Sequence, residues 1–224
     1  MERGFPELPA MLDGVGAPGD EGVRAYLARL RAKLLPQPKA LSIVPSRSDF
    51  DLNPTARPPM ARLLRPAAVL IPIIMREEPM VLFTKRAEHL PRHPGQVSFP
   101  GGKADPDDVS LTATALRELK EETGIGPEFV TVAGYLEPYE TITGFAVLPV
   151  VGILSEGYSL TPDAREVDGI FEVPLAFLLA PASLDEQARE FKGVSRRVYA
   201  FTYQGHYIWG ATAAMIVNLR ERLA

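Results

Sequence analysis

From Ala67 onward the chain alternates dense apolar runs with short polar breaks. Ala67–Met75 and Met80–Lys85 are branched, apolar stretches separated by Arg76–Pro79, a pattern that predicts two strands joined by a tight turn. Val130–Tyr135, Phe145–Leu154, Gly169–Val173 and Arg197–Tyr203 predict further strands. Leu111–Thr123 has helical spacing instead, with Ser110 or Asp108 as N-cap and Gly124 as its stop. Pro174–Leu179 and Ala211–Leu223 predict two more helices, the second amphipathic. Strands on both sides of one central helix predict an α/β fold, a mixed sheet flanked by helices.

Ahead of Ala67 the texture is different. Residues 1–19 mix Gly, Pro and acids without a period, and loose order is expected there. Asp20 is a suitable N-cap for a helix to Leu35, in which Val23, Tyr26, Leu27, Leu30 and Leu34 recur at helical spacing. Arg24, Arg29, Arg31 and Lys33 fall mostly off that stripe. The expectation is an accessory helix packed on the main domain or on a second copy in a homodimer; a basic helix lying on a membrane is the alternative. Residues 36–66 hold seven prolines and little periodicity, so they read as an extended connection. This divides the chain into an N-terminal extension, 1–60, and a main domain, 61–224.

Composition changes this picture little and excludes several partners. A chain of 224 residues, 46% hydrophobic and 23% charged, has the balance of an ordinary globular protein with a substantial core. Its formal charge of −4 offers no electrostatic footprint for nucleic acid. It has no cysteine, which removes disulfides and thiolate metal sites. No apolar run approaches the roughly 20 residues needed to span a bilayer, and Met1–Pro9 lacks the apolar stretch of a signal peptide, so a cytoplasmic protein is expected.

The chemistry concentrates in Arg117-Glu118-Leu119-Lys120-Glu121-Glu122-Thr123-Gly124-Ile125. On a helix Glu118 and Glu122 stand one turn apart, with Glu121 beside them, and like charges at that spacing repel. A hard cation such as Mg²⁺ or Mn²⁺ would relieve the repulsion, because it takes carboxylate oxygens and bridges to phosphates. Taken alone, the string reads rather as an acidic, solvated helix face balanced by Arg117 and Lys120. Upstream stands Phe99-Pro100-Gly101-Gly102-Lys103, a glycine turn that lets backbone approach a ligand closely. Fourteen residues separate Gly102 from Arg117, enough for a loop that folds back onto the helix.

Together these residues resemble the Nudix box, Gly-x5-Glu-x7-Arg-Glu-U-x-Glu-Glu-x-Gly-U, where U is a bulky aliphatic. Arg117, Glu118, Leu119, Glu121, Glu122, Gly124 and Ile125 match in order. The sequence departs from the box at Asp108, where the pattern has Glu, and in one extra residue before Arg117. The segment from Leu82 to Gly102, with Thr84, Arg86, Ala87, Leu90, His93, Gly95, Gln96, Val97 and Phe99, is similar to the element that marks the coenzyme A pyrophosphatase branch. That branch shares both departures. Glu137–Tyr139, Thr143–Phe145, Glu166-Val167 and Ile208-Trp209-Gly210 are also similar to it, and the likeness covers about residues 65–224.

The resemblance implies a Nudix-type α/β/α sandwich with an N-terminal helical extension. It implies Mg²⁺ or Mn²⁺ held by Glu118, Glu121, Glu122 and the Gly101 carbonyl, with Arg117 fixing the carboxylates. Glu118, Glu121 or Glu166 would orient the attacking water. Arg86, Arg92, His93, Gln96, Gly101 and Gly102 would meet a substrate like coenzyme A, cleaved to 3′,5′-ADP and 4′-phosphopantetheine. Read individually, His93 is a hydrogen-bonding loop residue and Arg86 and Arg92 are surface charges. Trp209 reads as core and Glu166 as a strand-edge acid. ADP-ribose, NADH or a nucleoside triphosphate is the alternative substrate, and a non-catalytic nucleotide sensor the alternative class.

Overall fold

The computed structural model describes residues 20–41, 45–60, 63–191 and 193–224. The stretch expected to be loosely ordered, 1–19, lies outside the described residues, as do the side chains of Asp20 and Val23. Helix α1 (Asp20–Lys33) is followed by the two-residue strand β1 (Arg47–Ser48) and then by β2 (Arg65–Ile74), β3 (Met80–Arg86), β4 (Val97–Ser98) and β5 (Gly101–Lys103). Helix α2 (Leu111–Thr123) leads into β6 (Val130–Tyr135), β7 (Tyr139–Glu140), β8 (Phe145–Leu154) and β9 (Val167–Pro174). The chain ends with α3 (Leu175–Leu179), β10 (Asp185–Phe191), β11 (Val194–Tyr203), β12 (His206–Trp209) and α4 (Ala211–Leu223). No helix among the described residues is long and apolar enough to cross a membrane.

The two long apolar runs, β2 and β8, pair in parallel along their full length at the centre of a nine-stranded mixed sheet. Both faces of these strands are covered, so they read as continuous hydrophobic runs rather than alternating ones. Alternation decides which layer each side chain enters. Ala68, Leu70, Leu82, Leu148 and Val150 face α2, where they bury Ala115, Leu119 and Ile125. Ile71, Ile73, Val81, Phe83, Val147 and Val151 face the opposite layer, where they meet α1, α3 and α4. The result is the expected α/β/α sandwich.

The expected β2–β3 hairpin is only partly realised. Its ladder is two residues long, Ile73 and Ile74 against Val81 and Met80. Farther along, β2 turns its free edge to β5, with Val69 opposite Gly101 and Ala68 opposite Gly102. Strand β3 diverges to pair with β4 and β9. This splitting opens the sheet beside α2, and the glycine turn fills the gap.

The accessory helix packs on the main domain: Tyr26, Leu30 and Leu34 are buried in the same core as the sheet's far face. The connection after it is tied in as well. Strand β1 extends the sheet by pairing parallel to β7, and Phe50 is buried. Strands β10, β11 and β12 form a separate antiparallel sheet that the sequence reading found only in part. Trp209, expected in the core, is half-exposed there, with the Arg189 guanidinium 5.2 Å from its ring centroid. It lies on the outward face because its neighbour Ile208 takes the buried position.

Candidate active site

Helix α2 begins and ends as its sequence dictates. The Ser110 side chain accepts from Ala113 N at 3.1 Å, and Gly124 closes the helix in the left-handed conformation at φ 81°. Its inner face delivers Leu119 to the core, and the same turns bring Glu118 and Glu122 to the gap between β3 and β5. Glu122 is 3% exposed. The Thr84 hydroxyl donates to its Oε2 at 2.8 Å, and Gly101 N donates to Oε1 at 3.4 Å. Glu118 lies directly over Gly102, where a Cβ would collide with its carboxylate.

Arg117 organises the outer side of this group. Its guanidinium donates to Glu118 Oε1 at 2.9 Å, to Glu121 Oε2 at 2.8 Å and to the Lys103 carbonyl at 3.1 Å. It is itself clasped by Asp108 through two parallel bonds of 3.0 Å. Asp108 also accepts from the buried Thr114 hydroxyl at 2.8 Å and from Asp105 N at 2.9 Å. These donors, Arg117 foremost, hold the Asp108 carboxyl well below its usual range. The acid that departs from the box is thus bound up in orienting Arg117.

Burial pushes the Glu122 carboxyl up to about 7, against the stabilising pull of Thr84, Gly101 N and the more distant Arg86. Glu118 is also raised by burial, with Arg117 opposing and the charges of Glu121 and Glu166 adding to the rise. Glu166 is therefore within electrostatic reach of the helix acids. It is exposed on a loop tied to the end of α2, where Thr161 N donates to Thr123 O at 2.8 Å and Asp163 N to Glu122 O at 3.3 Å. The Glu166 carbonyl accepts from Ala87 N at 2.9 Å, which joins this loop to the segment after β3.

A sequence model of the NUDIX domain matches residues 64–192. The chain belongs to the Nudix hydrolase family. It is accordingly a pyrophosphatase acting on acid anhydrides, and its substrates are nucleoside diphosphate derivatives. An uncharacterised Nudix hydrolase of Yersinia pestis (strain Pestoides F), NudL, is 45% identical over 160 residues, covering 71% of this chain and 80% of the relative. The protein of the same name from Yersinia pseudotuberculosis serotype O:1b matches to the same extent. Among solved structures, the NUDIX domain of Shewanella oneidensis NrtR complexed with ADP ribose is similar at a TM-score of 0.47 and 19% identity, covering 76% of this chain and 96% of that one.

Nudix hydrolases generally need divalent metal ions. Among the described residues no three His, Asp or Glu side chains converge on one point as they stand, since Arg117 engages Glu118 and Glu121 while Thr84 engages Glu122. The donor set nevertheless fits a hard cation. Glu118 and Glu122 are carboxylates whose ionised forms are disfavoured by burial and mutual repulsion, and a divalent ion supplies the missing positive charge.

The remaining expected residues divide into two groups. Arg86 stands at the end of β3, within electrostatic reach of Glu122, with its Nε buried and without a hydrogen-bond partner. Gly101 and Gly102 line the gap. His93 and Gln96 lie in the loop from 87 to 96, where His93 Nδ1 and Gln96 Oε1 are 2.8 Å apart, and Gln96 O accepts from Arg86 N at 2.9 Å. Arg92 is exposed on the same loop. Sequence reasoning assigned no role to Thr84. Its signal was available: Leu82, Thr84 and Arg86 alternate onto one face, and a fully buried hydroxyl on a core face requires a partner.

Proposed function

We propose that this Nudix hydrolase cleaves the diphosphate bond of coenzyme A or its acyl derivatives with Mg²⁺ or Mn²⁺, giving 3′,5′-ADP and 4′-phosphopantetheine or its acyl form. The observation that carries this reading is Arg86. It belongs to the segment similar to the coenzyme A pyrophosphatase branch, and its partly buried guanidinium lies within electrostatic reach of Glu122 with an unpartnered Nε. A guanidinium suits a phosphate group, and partial burial strengthens the attraction.

In this reading Glu118, Glu121, Glu122 and the Gly101 carbonyl hold the divalent ions. When bound, these ions neutralise charge on the diphosphate and favour in-line attack by water. Arg117, clasped by Asp108, keeps Glu118 and Glu121 in register. Glu118, Glu121 and Glu166 are the acids within reach of an attacking water, and one of them takes its proton. Arg86, Arg92, His93, Gln96 and Gly102 meet the substrate, Arg86 on the diphosphate or the 3′-phosphate.

The test is a product-release assay on coenzyme A, acetyl coenzyme A, ADP-ribose, NADH and ATP under one metal concentration. Coenzyme A or its acyl form is expected to give the highest kcat/KM. A preference above about tenfold for another compound, ~1.4 kcal/mol of transition-state discrimination, overturns the substrate assignment.

A further inference from the structure

Strand β3 carries three alternate residues along one face: Leu82 in the core beside α2, Thr84 against Glu122, and Arg86 at the strand's end, within electrostatic reach of Glu122. Thr84 is completely buried, and its hydroxyl has a choice of acceptors. Glu122 Oε2 lies 2.8 Å away, whereas the Ser98 carbonyl and hydroxyl are both 3.5 Å away on the paired strand β4. A hydroxyl has one proton to donate, and the short contact to a carboxylate takes it. The Ser98 hydroxyl, 3.5 Å away, can then donate to Thr84, which would extend a chain from Ser98 through Thr84 to Glu122.

This chain has a geometric consequence. Thr84 occupies one lone pair of Oε2, and Gly101 N, at 3.4 Å, approaches Oε1. The carboxylate plane is thereby fixed by β3 and β5, two elements of the sheet, rather than by the helix that carries it. Without Thr84, one long bond from Gly101 would be the only hydrogen bond among the described residues to restrain the end of a side chain with three rotatable bonds.

Resting on the metal-ligand reading of Glu122 above, we propose that Thr84 is a positioning residue: its hydroxyl fixes the Glu122 carboxylate in the orientation in which it binds a divalent ion. Outer contacts of this kind commonly set metal affinity by about 10- to 100-fold. The effect belongs in metal affinity rather than in the chemical step, since Thr84 stands behind Glu122.

The test uses the full chain and three variants, Thr84→Val, Thr84→Ser and Glu122→Gln. Mn²⁺ binding is followed by electron paramagnetic resonance without substrate, and the Mg²⁺ activation constant by diphosphate hydrolysis. Thr84→Val preserves shape and removes the hydroxyl; it is expected to weaken Mn²⁺ binding and raise the activation constant by about tenfold or more, with a smaller change in kcat at saturating metal. Thr84→Ser is expected to restore wild-type metal binding. An unshifted Thr84→Val overturns the proposal, and so does a Thr84→Ser variant as impaired as Thr84→Val, because keeping the hydroxyl would then not keep metal binding. Glu122→Gln separates the two readings. If it binds Mn²⁺ and turns over like wild type, Glu122 is no ligand and the underlying metal assignment fails. If it loses both while Thr84→Val loses neither, only the role of Thr84 fails.

Discussion

A carboxyl group withdrawn from water keeps its proton to higher pH, and Glu122 shows this at a position where the proposed metal site calls for an anion. Burial raises it to about 7 from an ordinary value of 4.5. Between those values the folded chain holds a proton that the unfolded chain has released. The stability associated with the neutral carboxyl is therefore fully present below about pH 4.5 and is lost as pH rises through about 7. The difference is roughly 3 kcal/mol at most. A divalent ion reverses the situation, because it prefers the ionised form. Thermal melts of chelator-treated protein should show wild type falling relative to Glu122→Gln between pH 5 and pH 8, with the gap narrowing when Mg²⁺ is added. Parallel pH profiles for the two proteins would contradict this account. At the same scale lies what the sequence withheld. Glu118, Glu121 and Glu122 stand out by their spacing, whereas Thr84, the residue that holds Glu122, comes from β3, 38 residues away in the chain, and Asp108 acts on Glu118 and Glu121 only through Arg117.

The elements were legible in proportion to how much of their hydrophobic pattern is their own. Helix α2 carries its cap, its apolar stripe and its stop within fifteen residues, Ser110 to Gly124, and the structure follows it. Strands β6 and β8 match the runs that predicted them, since each run is long and bounded by turns. Strand β10, Asp185–Phe191, is rich in charge and exists because β11 offers it a ladder, so its sequence alone gives no sign of it. Strand β5 is three residues long, and its identity as a strand depends on the divergence of β3 from β2. Its two glycines are nonetheless not equivalent. A Cβ on Gly101 would meet the Ala68 carbonyl at 2.5 Å and Val69 Cα at 2.6 Å, both backbone, so Gly101→Ala must push β5 away from β2. The three atoms nearest a Cβ on Gly102 all belong to the end of the Glu118 side chain, which can swing aside. Gly101→Ala is expected to lose about 1–3 kcal/mol in thermal denaturation and activity with it. Gly102→Ala should melt within about 1 kcal/mol of wild type yet lose activity by more than about tenfold. Full activity in Gly102→Ala would show that the position of Glu118 is not critical.

At the scale of the whole molecule, the segment that looked like an appendage is part of the core. Tyr26, Leu30, Leu34 and Phe50 are all buried to 4% exposure or less, the first three against the side chains of the sheet's far face. Burying each such side chain contributes about 1.5–3 kcal/mol, and together they rival the 5–15 kcal/mol that separates a typical folded domain from its unfolded state. Polar ties add to this. Asp49 accepts from Tyr139 Oη at 2.9 Å and from Ile142 N at 2.7 Å, and the Asn53 side chain brackets Arg197 through bonds of 2.8 Å to its N–H and its carbonyl. Removing residues 1–60 would leave those groups without these partners and open one face of the sheet to water, so the truncated chain is expected to show no cooperative melt and to bind a hydrophobic dye. Tyr26→Ala in the full chain isolates the packing contribution. It should cost about 3–5 kcal/mol of stability, while kcat at a temperature where the variant stays folded remains near wild type, because Tyr26 lies in the layer opposite α2. A truncated chain that melts cooperatively at the wild-type temperature would mean that the sheet and its α2 layer stand alone, and that α1 and the connection are accessory after all.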